Sequence, residues 1–258
     1  MLMQQLSPTT TDPAPVIALD AGRVRESAPC PDQRDLDNPY WSCLATRHAH
    51  ISLGGALARR YPADISPIAG LPGAGPANVA ALTALVDVGD DIGLAGAHVP
   101  VLPENWETLH ASRLTQMLRR DRSAIPEGDI EVVRLGAADV DEMLELVERA
   151  RPGPFRRRTI ELGTYIGIRE RGRLVAMAGE RTWIGDCREV SAVCTHPEVQ
   201  GRGYARALIA RVVNRMLRAG QTPYLHVESG NARAIKLYRA LGFFRRTEFA
   251  LLRAKRIR

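Results

Sequence analysis

The stretch THPEVQGRGYARAL, Thr195 to Leu208, constrains this chain more than any other. It places a proline, a glutamine and two closely spaced glycines directly before a long Ala/Arg/Leu run in which Ala205, Leu208, Ile209, Val212, Val213 and Met216 form one apolar stripe. That spacing predicts an amphipathic helix closed by Gly220, with Arg206, Arg211, Arg215 and Arg218 largely outside the stripe. A helix N-terminus carries unpaired N–H groups and the positive end of the helix dipole, and glycines there let an anion approach the backbone. The segment reads as a phosphate cradle.

Two common phosphate readers do not fit it. The segment lacks GK[ST], and QGRGYA lacks the spacing of GxGxxG. A second glycine cluster, GLPGAGPANV (Gly70 to Val79), is broken by Pro72 and Pro76 and reads as a loop with Pro76 near a helix start.

At 258 residues the chain has room for one large or two modest domains. Residues 1–35, rich in Pro, Thr, Asp and Ser, predict a mobile arm. Residues 36–125 predict a smaller α/β domain: a strand around Trp41–Ile51, a Pro/Gly loop, a helix over Ala77–Val86 and another over Trp106–Arg119. Residues 129–258 carry a clearer pattern. A strand IEVVRL and an amphipathic helix over Ala138–Arg149 precede the strands LGTYIGIRE, RLVAMAGERTW and REVSAVCT. After the glycine segment and its helix come the strand PYLHVES, a short helix ARAIKLYRAL stopped by Gly242, and a last strand FFRRTEFALLRA. The expected class is α/β, a mixed sheet flanked by helices.

Several function classes recede on composition. The net charge of +6 is almost all arginine, since lysine stands only at Lys236 and Lys255, and with aromatics at 5% there is no basic stripe interleaved with stacking rings. No nucleic acid partner is expected. Cys30, Cys43, Cys187 and Cys194 show no CxxC spacing, and no secretory signal opens the chain, so neither a disulfide frame nor a zinc site is expected. His48 and His50 alternate on the expected first strand without a clear third ligand, so no metal is assigned. No apolar run reaches the ~18 residues of a membrane span. A cytoplasmic protein follows as the expectation.

Residues 130–254 resemble the GNAT acyltransferases, which move an acyl group from acyl-CoA to an amine. The resemblance rests on Gln200-Gly201-Arg202-Gly203-Tyr204-Ala205, matching the family pattern Q/R-x-x-G-x-G/A, and on SGNARAIKLYRALGF, where the family's Asn and Tyr fall at Asn231 and Tyr238. It implies a GNAT-type, mostly antiparallel sheet. It also implies acetyl-CoA as co-substrate, with its pyrophosphate on the loop from Gly201 to Arg206 and its pantetheine arm along Val193, Cys194 and Thr195. Thr195 departs from the commoner apolar residue, which backbone pairing tolerates.

The same resemblance makes Tyr238 the acid for the departing thiolate, although a ring packed in the helix is the plainer reading. Asn231 contacts the cofactor, caps the helix, or does both. Two base candidates stay open. Glu189 lies eleven residues before Gln200, as in histone acetyltransferases of this superfamily, and His226 lies five before Asn231, as the glutamate of ribosomal N-terminal acetyltransferases does. Either could equally be a hydrogen-bonded sheet residue. Arg156, Arg157 and Arg158 fall where an acceptor loop would lie, compatible with an acidic acceptor or a solvated charge run. Region 36–125 is open between a degenerate GNAT-like half and a lid. The leading expectation is an acetyl-CoA-dependent transfer to a primary amine. A non-catalytic CoA-binding sensor is the alternative, and pairing of two copies as a homodimer is left open.

Overall fold

Long strands form the centre of the molecule, several with a run of buried positions. The computed structural model describes residues 33–258. Its elements run α1 (Gln33–Asp37), α2 (Pro39–Ala45), β1 (Leu53–Gly54), β2 (Arg59–Arg60), β3 (Ala69–Gly70), α3 (Pro76–Leu85), β4 (Asp91–Gly96) and β5 (Trp106–Leu118). After these come β6 (Val133–Leu135), α4 (Val140–Ala150), β7 (Tyr165–Glu170), β8 (Arg173–Ile184), β9 (Cys187–Thr195), α5 (Tyr204–Arg218), β10 (Thr222–Glu228), α6 (Ala232–Ala240) and β11 (Phe244–Arg256). The arm expected over 1–35 lies outside the described residues except for its last three, which open α1.

Eight strands make one mixed sheet in the order β4-β11-β5-β10-β9-β8-β7-β6, in which only β9 and β10 run parallel. Strand β5 inserts between β10 and β11, which follow one another in the chain. The region 36–125 therefore keeps its own three-stranded sheet, β1–β3, and also lends β4 and β5 to the main one. Asn214, buried in the otherwise apolar stripe of α5, clamps the linker between the halves. Its Oδ1 accepts from the Ile125 amide and its Nδ2 donates to the Ile125 carbonyl, both at 2.8 Å.

Helices cover both faces of the sheet. On one, Leu208, Ile209, Val212, Val213 and Met216 of α5 pack on Ala176, Ala178, Val190, Leu225 and Val227. On the other, Tyr40 and Leu44 of α2 join Ile65, Ile68, Leu114 and Phe249. Each fully buried side chain of this size contributes about 1.5–3 kcal/mol, which holds α5 in place despite its row of arginines. Among the described residues, no helix is long and apolar enough to cross a membrane.

Two expected elements are different in the structure. Trp106–Arg119 is a strand, not a helix. Its large apolar residues at 106, 109, 114 and 117 mimic helical spacing, but pairing with β11 along its whole length and with β10 over Leu114–Leu118 overrides that periodicity. Trp41–Ile51 is not a strand. Pro39 opens α2, and burial of Tyr40, Cys43 and Leu44 follows the helical period. His48 and His50 consequently share no strand face. Their rings stand edge to face at 6.4 Å, and the buried His48 Nδ1 lies 2.7 Å from the Tyr61 hydroxyl.

Burial, with Arg188 and His50 nearby, pulls His48 down from 6.5 to about 4. The unfolded chain then binds the proton first, so stability falls as pH drops from 6.5 toward 4. This group alone should cost about 2 kcal/mol at pH 5 relative to neutral pH. Urea unfolding of the wild type and His48→Asn at both pH values checks this. The variant should lose less stability on acidification, and equal losses would contradict the assignment.

Candidate active site

The site begins where two parallel strands part. β10 pairs with β9 only at Thr222–Cys187, Pro223–Arg188 and Tyr224–Glu189. Beyond Glu189, β9 continues to pair with β8 on its other side as far as Thr195–Ala176. A bulge interrupts that ladder, since Ser191 faces Gly179 while Cys194 faces Met177. Ala192 within it takes a left-handed φ of 51°, a conformation that costs a non-glycine residue roughly 1–2 kcal/mol. Among the described residues, the edge of Val190–Thr195 toward β10 has no strand partner, and a cleft of about 720 Å³ opens along it.

The glycine segment closes one end of this cleft. Gly201 and Gly203 adopt φ of 86° and 84°, and a Cβ at either would meet nothing within 4 Å. Glycine is therefore required by the turn itself, which crowding does not impose. The first intrahelical bond of α5 runs from the Ala207 amide to the Gly203 carbonyl at 3.0 Å. The amides of Tyr204, Ala205 and Arg206 are thus without intrahelical acceptors at the cleft wall. They sit at the positive end of a 15-residue helix dipole, a ready anion site.

Of the residues expected to hold the cofactor, Val193, Cys194, Thr195, Gln200, Gly201, Gly203, Tyr204, Ala205, Arg206 and Asn231 line the cleft. The Arg202 side chain turns away to Glu170 at 2.9 Å, and the Tyr204 hydroxyl donates to the same carboxylate. Gln200 accepts from Arg233 at 3.0 Å. Asn231 caps α6, its Oδ1 accepting from the Ala234 amide at 3.0 Å. The Tyr238 ring rests edge-on against Phe243 and lines the cleft. Burial pushes its phenol up to about 12, so it stays protonated and able to donate at neutral pH. Burial likewise raises the Cys194 thiol to about 12.

The two base candidates occupy different layers. Both side chains are buried, His226 at 2% and Glu189 at 1% exposed, but His226 lines the cleft and Glu189 does not. Arg181 donates Nη2 to Glu189 Oε1 at 2.7 Å and Nε to Oε2 at 3.0 Å, and the Thr182 hydroxyl donates to Oε2 at 2.6 Å. Burial alone would raise this carboxyl, but the Arg181 charge and the His226 contact hold it well below the usual carboxylate range. With every lone pair engaged, Glu189 does not face a substrate directly.

His226 Nδ1 lies 2.9 Å from Glu189 Oε1, and its Nε2 lies 3.1 Å from Gln116 Nε2. Gln116 is oriented by its other contacts. Its Oε1 accepts from Arg246 at 2.9 Å and its Nε2 donates to the Leu36 carbonyl at 3.0 Å. Consistent donation therefore gives His226 a protonated Nδ1 facing the carboxylate and an Nε2 that accepts from the amide.

Sequence reading missed Gln116, Arg181 and Tyr40. Gln116 falls in the strand expected as a helix. Arg181 meets Glu189 through the pairing of β8 with β9, where Glu180 faces Val190. Tyr40, under the Arg181 guanidinium at 5.8 Å, follows from the misread α2. The arginines at 156–158 are ion-paired with Asp91, Asp141, and Asp64 and Glu161, respectively. That pairing removes the reason to expect them to select an acidic acceptor.

Comparison with known proteins places the site in context. The sequence model of the FR47-like protein family matches residues 165–251. A protein of Novosphingobium aromaticivorans assigned to the GNAT family of acetyltransferases is 33% identical in sequence, with a TM-score of 0.77, over 86% of this chain and 98% of its own. A GCN5-related N-acetyltransferase from Kribbella flavida shares the fold at 15% identity and a TM-score of 0.57, over 86% of this chain and 95% of its own. No curated protein matches the sequence.

Truncating Glu189 should leave Arg181 charged and unpaired in the interior. Glu189→Ala is expected to lower stability by about 3–5 kcal/mol, read as a fall in the urea midpoint at neutral pH. A loss below about 1 kcal/mol would mean that the pair is solvated, as surface pairs are.

Proposed function

The chain belongs to the GNAT family of acetyltransferases, and from that membership we propose that it transfers acetyl from acetyl-CoA to a primary amine by direct attack. One observation carries the reading: β9 and β10 separate after three pairs and open onto the free amides at the start of α5. An extended pantetheine arm suits the open edge of Val193–Thr195, because its amides can pair there like an added strand. The pyrophosphate suits the amides from Gly201 to Arg206.

Chemistry then follows from what lines the gap. A neutral amine nitrogen attacks the thioester carbonyl, the tetrahedral intermediate collapses, and the carbon–sulfur bond breaks. The departing sulfur needs a proton, and Tyr238, held as a phenol by burial, donates it. The surplus proton on nitrogen leaves toward His226, the base candidate that lines the cleft, which takes it at Nε2 in exchange for the hydrogen bond from Gln116. Glu189 acts through His226 as a positioning residue, fixing which ring nitrogen carries hydrogen. Cys194, the cysteine that lines the cleft, is kept as a thiol by burial, which favours direct attack over an acyl-cysteine intermediate.

Release of free CoA thiol in the presence of an amine panel tests this reading. Tyr238→Phe should lower kcat by about 10²–10⁴ while leaving the affinity for acetyl-CoA unchanged. With its phenol near 12, Tyr238 should set no alkaline decline in kcat at pH 10 or below. A Phe variant with wild-type kcat would remove Tyr238 from the reaction.

A further inference from the structure

The cleft has a second end that the cofactor reading leaves unassigned, and its lining is chemically different. Resting on the acyltransferase reading, we infer that this end is the acceptor subsite, that it takes a primary amine carried on an apolar or aromatic body, and that Gly93 sets its size. The walls come from Tyr40, Ile68, Leu114 and Leu251, together with Phe155 from the loop after α4. Tyr40, Ile68 and Leu114 belong to one apolar cluster, with Leu251 packed against it.

Charge argues in the same direction. Among the described residues lining the cleft, Glu228 is the sole carboxylate, and its side chain is 60% exposed beside His110. Two arginines at this end are already matched, Arg181 by Glu189 and Arg253 by Asp91 at 2.9 Å, while Arg151, on the loop that carries Phe155, lines the cleft without an ion pair among the described residues. A polyamine would bring several cations to a wall with a single exposed counter-charge, and at Arg181 and Arg253 an acidic amine would compete with carboxylates already in place. An apolar body needs only the displacement of water from the walls.

Gly93 supplies the space. It pairs with Arg253 across β4 and β11, so a side chain there would share the face of Arg253, which lines the cleft. A Cβ built on Gly93 would meet only the Pro67 carbonyl oxygen, at 3.9 Å. A Cβ at this position is therefore in ordinary van der Waals contact with that backbone oxygen and clashes with nothing.

The test compares phenethylamine, hexylamine, spermidine and glutamate as acceptors, with acetyl-CoA binding measured separately by calorimetry. The subsite predicts that kcat/KM for the apolar amines exceeds that for spermidine and glutamate by about tenfold or more. Gly93→Leu should lower kcat/KM for phenethylamine by a similar factor with acetyl-CoA affinity retained. Preference for spermidine or glutamate, or no response to Gly93→Leu in a folded variant that binds acetyl-CoA, would overturn it. Failure of the wild type to bind acetyl-CoA would instead bring down the acyltransferase reading. The subsite would then stand or fall on whether phenethylamine alone raises the unfolding midpoint of the wild type more than that of Gly93→Leu.

Discussion

A backbone N–H or C=O removed from a ladder must find another partner, and leaving one buried and unpaired costs about 1–3 kcal/mol. The parting of β9 and β10 creates a row of such groups along Val190–Thr195, next to the free amides of α5. The rest of the molecule keeps that gap from closing. β8 supports β9 from the far side, the bulge at Ala192 turns it, and α5 is locked to the sheet by a continuous apolar stripe. The strain at Ala192 is small against that packing and is spent where a ligand edge is needed.

A buried polar chain ties the same gap to the N-terminal region. Arg246, Gln116, His226, Glu189 and Arg181 are linked in sequence by hydrogen bonds, and the Leu36 carbonyl fastens Gln116 from α1. Each member satisfies the next, so the network is cheap while complete and expensive if one member is lost. Because β5 supplies Gln116 and sits between β10 and β11, the N-terminal half is part of the site's frame. Its α2 and the segment around Ile68 also wall the cleft. The smaller region expected from the sequence is thus woven into the main sheet.

What was legible in the sequence was local. Gly201 and Gly203 announce a turn that only glycine adopts readily, the stripe of α5 announces its face, and Asn231 and Tyr238 sit at a spacing that one short helix preserves. What was hidden depends on register between distant strands. Leu114 and Met117 look helical until β11 and β10 pair with them, and Glu189 looks like an accessible acid until Arg181 and His226 close over it. Gln116 has no signal of its own, since its role comes from partners at Leu36, His226 and Arg246. The arm over 1–32 lies outside the described residues.

Whether the free amides of the loop and of α5 hold the pyrophosphate of CoA is most directly decided by thermal unfolding with acetyl-CoA, CoA and NADH, for the wild type and for Gly203→Glu. A ligand bound by the folded state alone raises stability by about 2.7 kcal/mol at a hundredfold excess over its Kd. The midpoint should rise with acetyl-CoA and with CoA but not with NADH, and the rise should vanish in Gly203→Glu, whose side chain has open space to occupy the cradle. No shift of the wild type with either CoA species would contradict the assignment of this cleft to acyl-CoA.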